Sequence, residues 1–422
     1  MSNRFLQFNY VPYPLWRRQM PSWLRQAARP LLRRYLAAEA DGPLATTPGG
    51  LARFMARWGL LSGCDEAEAA RLLADTPPVE LAPSGVQPAQ WTGDPVRLPA
   101  QWERLDTVLL TWPSVYPPLW AAHAQMAEGI APVAPVTIIV RSALWAAAAR
   151  LYLLERGVLS PQQIAARVRF LVLETDDIWV RDYGPLVGLD ASGEQVCVKP
   201  IFDPLPNYPQ ARDNAMALQW AAHAEVATLP LDLHIEGGNI WSDGAGTLIV
   251  SEQAFFSNPG LTADALDERL RSVFAFEKLI VTPRLEREET GHVDLLLKLA
   301  DTRTVLISSS ALALNGGKLR AARALFERER NAAGDRYTVH ELPTPPLYIN
   351  WGVWPVWRSY TNALTVNGRV LVPVFGIGTD DAALRVYEAA MPGYEIVPIN
   401  CAVGANGGGA VHCLTKEIPA RG

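Results

Sequence analysis

IWSDGAGTLIVS, residues 240 to 251, and LTVNGRVLVPV, residues 364 to 374, carry the same message about the fold. Each sets an Asp-Gly or Asn-Gly pair between β-rich arms, the chemistry of a tight hairpin turn whose central residues take positive φ. Working outward, β-branched runs recur as TVLLTW from 107, VTIIV from 136, VRFLVLE from 168, QVCVKPIF from 195, KLIVT from 278, TVLIS from 304 and YEIVPI from 394. Amphipathic stretches around 211–226, 262–276, 316–331 and 379–391 separate them. Strands thus come in pairs between helices, which predicts a mixed α/β domain rich in hairpins rather than a doubly wound parallel sheet. No sequence repeat of fixed period is visible by eye.

With 422 residues, 49% of them hydrophobic, the chain can bury a large core. A net charge of −5 offers no general attraction for nucleic acid and suits small cations better. The four cysteines, Cys64, Cys197, Cys401 and Cys413, form no CxxC pair and are too few for a disulfide framework, so a reducing cytoplasm is the expected location. No run approaches the roughly 20 apolar residues of a membrane span. The first 36 residues are set apart by seven arginines (Arg4, Arg17, Arg18, Arg25, Arg29, Arg33 and Arg34) and no acidic residue. Leu24, Ala28, Leu31 and Tyr35 recur there at helical spacing, interrupted by Pro30. The expectation is a basic, mainly helical extension over 1–90 packed on the main domain. An anionic surface, a partner protein or a transit peptide is the sharper alternative. A second helical stretch spans Leu51 to Leu73, and TPPVELAPSG, residues 76 to 85, reads as a linker into a domain covering 91–422.

Four clusters place polar groups beside glycine in apolar surroundings. ETDDIWVRDYGP (174–185) holds Asp176, Asp177, Arg181 and Asp182 around Trp179; a charged turn with Arg181 paired to a neighbouring carboxylate explains it as well as a binding site does. HIEGGNIWSDG (234–244) follows Glu236 with two glycines, which alone is more often just a turn. TGHVDLLLKL (290–299) puts His292 and Asp294 two apart, on one face if the segment is a strand; an isolated histidine is more often a satisfied core-edge residue. GANGGGAVHCLTKEIPA (404–420) delivers Cys413 from a glycine loop to a strand-like segment, where a buried inert cysteine is the ordinary outcome.

Together these four resemble the agmatine deiminase and bacterial peptidyl-arginine deiminase family of the guanidine-modifying superfamily, over about residues 95 to 420. WERLDTVLLTWP resembles its opening strand, DDIWVRDYGP its acidic motif, EGGNIWSDGAGTLIVSE its glycine hairpin, GHVD its histidine motif, SYTN its asparagine motif and GGGAVHCLT its nucleophile motif. Six motifs in family order are far more specific than any one. The resemblance implies a five-bladed pseudo-symmetric α/β propeller of pentein type. It also implies hydrolysis of a guanidinium to a ureido group and ammonia. In that scheme Cys413 attacks, Asp182 and Asp294 grip the cation, His292 moves protons, Glu236 orients His292, and Trp179, Asn362 and Asp177 line the pocket. No metal or cofactor is called for.

Family members that bind terminal arginine use an arginine pair shortly after the acidic motif; here that stretch reads IFDPLPNYP (201–209), without arginine. Agmatine-specific members carry GHxDD, whereas Leu295 follows Asp294 here, and Ala410-Val411 replaces their usual Asn-Ile. Agmatine, an arginine derivative and peptidyl-arginine therefore stay open as substrates. Trp351, Trp354 and Trp357 could stack on a cationic tail, or serve the core. The rivals are an amidinotransferase on the same fold and a silent guanidinium-binding module. A homo-oligomer is compatible with the sequence.

Overall fold

A computed structural model describes residues 46–83, 85–114, 116–202, 210–286, 288, 290–309, 314–350 and 354–422. The basic segment with its arginines, most of IFDPLPNYP and Trp351 lie outside these residues, as does the side chain of Trp354.

The chain folds as an α/β structure. Among the described residues the first elements are helices α1 (Pro48–Arg57) and α2 (Glu66–Ala74), started by Thr47 and Asp65, whose side chains accept backbone N–H groups of the first turn. The sequence reading made one helical stretch here. The chain breaks it at Gly59, whose φ of 66° suits glycine. Strand β1 (Glu80–Leu81) follows, then β2 (Leu105–Thr111), α3 (Trp120–Ile130), β3 (Val136–Val140), α4 (Ala143–Arg156), α5 (Pro161–Arg167) and β4 (Val168–Val172). Helices α3 to α5 escaped the sequence reading. They are alanine-rich, and α3 and α4 are buried over much of their surface, so no clean polar face marks them.

Beyond β4 one plan recurs. A hairpin of two antiparallel strands is followed by a helix and a third strand parallel to the second. It is seen in β5 (Leu186–Leu189), β6 (Gln195–Ile201), α7 (Ala211–His223) and β7 (Ala227–His234), the short α6 (Val180–Tyr183) standing before them. It returns in β8 (Trp241–Ser242), β9 (Thr247–Ser251), α8 (Gln253–Ser257), α9 (Ala263–Arg271) and β10 (Lys278–Thr282). It returns again in β11 (Leu297–Leu299), β12 (Thr304–Ser308), α10 (Gly316–Arg328) and β13 (Thr338–Leu342). After a separate hairpin of β14 (Tyr348–Asn350) and β15 (Trp354–Val356), β16 (Leu364–Val366), β17 (Arg369–Val374), α11 (Asp380–Ala390) and β18 (Glu395–Asn400) repeat it. The last strand, β19 (Thr415–Pro419), pairs antiparallel with β2, and β2 continues through α3 into parallel β3. The two ends of the domain thereby build the same unit together, widened by β4 and β1.

The Asn-Gly hairpin closes as the turn chemistry predicts, whereas the Asp-Gly one takes a longer loop in which Gly244 and Gly246, not Asp243, have positive φ (68° and 99°). Asn367 and Gly368 both take positive φ, 39° and 89°, and Asp243 Oδ1 accepts the N–H groups of Ala245 and Thr247, each at 2.8 Å. Helices α1 and α2 share the largest apolar cluster with the first sheet, where Phe54 meets Trp145 edge-on at 5.9 Å. Among the described residues no helix is long and apolar enough to cross a membrane.

Candidate active site

The repeated plan has a chemical consequence, because the polar side chains stand just before the first strand of each unit. Asp182 precedes β5, Glu236 precedes β8, His292 and Asp294 precede β11, Asn362 precedes β16, and Cys413 precedes β19. The structure brings all of these together. A Cβ placed on Gly238 would stand 2.5 Å from His292 Nδ1, 2.8 Å from Asp182 Oδ1 and 3.2 Å from Asp294 Oδ2, so only glycine lets these groups converge. The sequence reading set His292 and Asp294 on a strand; instead His292 begins a 3-10 turn, Val293–Leu295. Glu288 shapes that turn by accepting the N–H groups of Thr290 and Gly291 at 2.8 and 2.5 Å.

The nucleophile end is built around Asn362. Its Oδ1 accepts the N–H groups of Ala410 (2.9 Å) and Cys413 (3.2 Å), and its Nδ2 donates to Cys413 Sγ at 3.1 Å. The loop carrying Asn362 is pinned from below, since Tyr360 donates to Asp380 at 2.6 Å and Tyr387 donates to the Tyr360 carbonyl at 2.7 Å. Trp179 closes the other side: a Cβ on Gly409 would lie 2.6 Å from both the Trp179 ring and Cys413 Cβ.

Burial pushes the Cys413 thiol well above its ordinary range, and Asp294 and Asp182 push it further. Burial also raises Asp294, to about 7, with His292 and Asp182 pulling in opposite directions. His292 shows the reverse balance. Burial lowers its basicity, but Asp182 and Glu236 overcome that and hold the ring near 10. Its Nε2 bonds to Glu236 and its Nδ1 lies 3.5 Å from Asp182 Oδ1. Asp182, Glu236 and His292 offer three ligand atoms within 4.8 Å of one another. Two buried atoms here lack a hydrogen-bond partner, His292 Nδ1 and Asp294 Oδ1.

Asp177 faces elsewhere. Its carboxylate accepts the Ile178 N–H at 2.8 Å, beside a separate small cavity that also meets Trp112, Arg141 and Asp176. Trp357 packs into an apolar cluster with Leu295 and Phe326, so it serves the core. Arg181 pairs not with a neighbouring carboxylate but with Glu417, 236 residues away, through two nitrogens. Sequence reasoning missed His412, whose Nδ1 lies 2.6 Å from Asp294 Oδ2; its place beside Cys413 was the signal. Lys298, buried and lowered to about 7 mainly by desolvation, was missed as well.

The family model for the Porphyromonas-type peptidyl-arginine deiminase matches residues 97–419. The chain belongs to that family. This deiminase is a cysteine-dependent hydrolase of C–N bonds in linear amidines. It is 31% identical to the agmatine deiminase of Stutzerimonas stutzeri over 366 residues, covering 76% of this chain and 95% of the relative. The agmatine deiminase of Pseudomonas aeruginosa is 31% identical over 368 residues, covering 78% and 96%. In structure, it is similar to the Enterococcus faecalis agmatine deiminase, with a TM-score of 0.69 at 23% identity over 79% of this chain and 100% of that one.

Proposed function

We propose that this deiminase acts on a small alkylguanidinium, agmatine first among the candidates, with the five hairpin-helix-strand units closing around the site as the blades of a propeller. The observation that carries the reading is the fully buried Asp294 carboxylate, whose Oδ2 lies 3.7 Å from Cys413 Sγ and whose Oδ1 has no hydrogen-bond partner. A buried acceptor without a donor is unfavourable, and a planar cation bearing several N–H groups supplies donors and charge together. The named agmatine deiminases at 31% identity support the substrate.

In this scheme Asp182 and Asp294 hold the guanidinium nitrogens with its central carbon over Cys413 Sγ. The cation offsets the two carboxylates that oppose thiolate formation, so the thiol loses its proton when substrate is bound. Asn362 Nδ2, 3.1 Å from Sγ, donates to the resulting anion. Sγ bonds to the carbon, the C–N bond breaks, and the protonated His292 gives its proton to the departing ammonia. The now neutral ring takes a proton from water, which attacks the carbon. The C–S bond breaks, the O–H proton of the new urea passes to the leaving thiolate, which restores the thiol, and the ureido product leaves. Glu236 keeps His292 oriented and charged, as a carboxylate does in other triads. Trp179 walls the pocket. All these groups lie within the 91–422 catalytic unit, with residues 46–90 as its buttress.

Ammonia release by the purified protein tests this across agmatine, arginine, short arginine peptides and simple alkylguanidines. Release from agmatine, lost in Cys413→Ala, is expected. Release only with arginine peptides would overturn the substrate, and transfer of the amidino group to an added amine would overturn the hydrolase.

A further inference from the structure

The contact between Asp294 Oδ2 and His412 Nδ1, 2.6 Å long, accommodates one proton. The far nitrogen of that ring, Nε2, is buried and has no hydrogen-bond partner. The ring stacks on Trp241 at 4.9 Å and lines a cavity of about 30 Å³ with Gln101, Arg181, Lys416 and Glu417. Neither Cys413, His292 nor Asp294 lines it. Two further buried atoms without partners, Gln101 Nε2 and Trp241 Nε1, belong to residues of the same lining. A volume of that size exceeds the roughly 10–15 Å³ a water needs, and the orphaned polar atoms give water its partners.

We propose that His412 is a proton relay: when the guanidinium binds, the proton held by Asp294 leaves through His412 into a hydrated cavity lined by Lys416 and Glu417. The proposal rests on the deiminase reading of the site. In the free protein Asp294 Oδ2–H donates to Nδ1, and Nε2–H donates to cavity water. As the cation arrives the O–H bond breaks and Nδ1–H forms. Nε2–H breaks in the same event, and its proton passes to water. The carboxylate then accepts from the guanidinium and from Nδ1–H. Release of the neutral ureido product reverses the sequence.

His412 stays neutral throughout. Burial, Arg181, Lys298, Lys416 and His292 all oppose a charge on it, with Glu417 the one acid among the cavity's charged groups. Asp294, raised to about 7, is partly protonated near neutrality; around it stand His292, Asp182, Arg181 and Glu288. His412 lines the cavity and Asp294 does not, so the ring is the link between that carboxylate and the cavity.

The test uses full-length Cys413→Ala with ¹⁵N-labelled histidine, whose two ring nitrogens report the tautomer by NMR. Without ligand, lowering the pH from about 8.5 to about 5.5 is expected to move the His412 proton from Nδ1 to Nε2 without charging the ring. Saturating agmatine at the acid end is expected to move it back. A ring that stays Nδ1–H throughout, or that becomes imidazolium, overturns the relay. His412→Asn supplies the kinetic arm, since its amide still donates to Asp294 but cannot pass a proton on. Proton release after mixing with agmatine, followed with a pH indicator, should reach the same final amount on the order of a hundredfold more slowly. An unchanged rate leaves His412 as a positioning residue and sinks the proposal. If agmatine neither binds nor yields ammonia with the wild-type protein, the substrate reading fails, and the ligand-free titration still decides the relay.

Discussion

Glu236→Gln isolates what a single carboxylate does for His292. The ring stands near 10 instead of its ordinary 6.5 although burial alone would lower it, and Glu236 follows Asp182 among the groups that raise it. Gln keeps the shape but removes the charge, and its amide places a donor where the imidazolium also donates. Loss of one close opposite charge moves a pKa by roughly 1–2 pH units, each about 1.4 kcal/mol of differential stabilisation. His292 should then fall to roughly 8–9, with Asp182 still in place 3.5 Å from Nδ1. Because His292 must carry a proton to release ammonia, activity is lost as pH rises through its pKa. The alkaline limb of kcat/KM, which reports the free enzyme, should therefore shift to lower pH by that interval in the variant. At neutral pH the ring remains largely protonated, so the remaining loss, roughly 10²-fold, comes from orientation. Ammonia release measured between pH 6 and 10.5 on both proteins, about half a unit apart, checks this. An alkaline limb that does not move refutes the assignment of His292 as the acid, whatever happens to the rate.

Asn362→Ala removes the donor to Sγ and two acceptor contacts for the nucleophile loop, so alkylation of Cys413 by iodoacetamide in the presence of a guanidinium should slow by roughly tenfold or more. Gly238→Ala puts a methyl group 2.5 Å from His292 Nδ1; ammonia release should fall at least ~10²-fold while the melting temperature changes little, since the clash is confined to side-chain tips. Arg181→Met leaves Glu417 largely buried without its fork partner and should destabilise the fold by about 3 kcal/mol in urea unfolding, with partial recovery in Arg181→Met/Glu417→Gln. Burial would raise Glu417, but Arg181 and Lys416 hold it down near 2. The wild-type protein thus keeps this contribution above the ordinary glutamate range near 4.5 and loses it as pH falls towards 2, a slope that the double variant should lack.

How much of this was legible in the sequence follows from the range of each interaction. The turn at Asn367-Gly368 is local, and residue type alone decides it; at Asp243-Gly244 the position is local too, but the loop extends to Gly246. The Asn367 side chain goes further, bonding the Leu105 N–H at 2.8 Å and so tying one hairpin to the strand of another unit, which no local rule foresees. Of the eight residues the family resemblance pointed to, the structure brings Cys413, His292, Asp294, Asp182, Glu236, Asn362 and Trp179 to one place. Asp177, drawn into the same expectation by its motif, is turned back onto its own loop by the Ile178 N–H. His412 was passed over beside Cys413 because its partner, Asp294, lies 118 residues earlier. Arg181 looked like a residue for a neighbouring aspartate because pairing across 236 residues leaves no trace in a window of ten.

The repeat was hidden for a related reason. Each unit needs only a hairpin, a helix and a parallel strand, and many apolar sequences satisfy that plan, so similarity between units can vanish while topology persists. Only the approach to each first strand carries chemistry, and there the units differ most. Asp182, Glu236, the His292–Asp294 pair, Asn362 and Cys413 occupy topologically equivalent places with side chains of different chemistry. Apart from the His292–Asp294 pair, each of these groups comes from a different unit, so the geometry of the site is set by how the units pack. Gly238 shows how narrow the tolerance is, since even a methyl group would meet side chains carried by two other units. The side chains that meet at the site can therefore be re-specified one approach segment at a time, His292 and Asp294 together, while the strands behind them stay as they are.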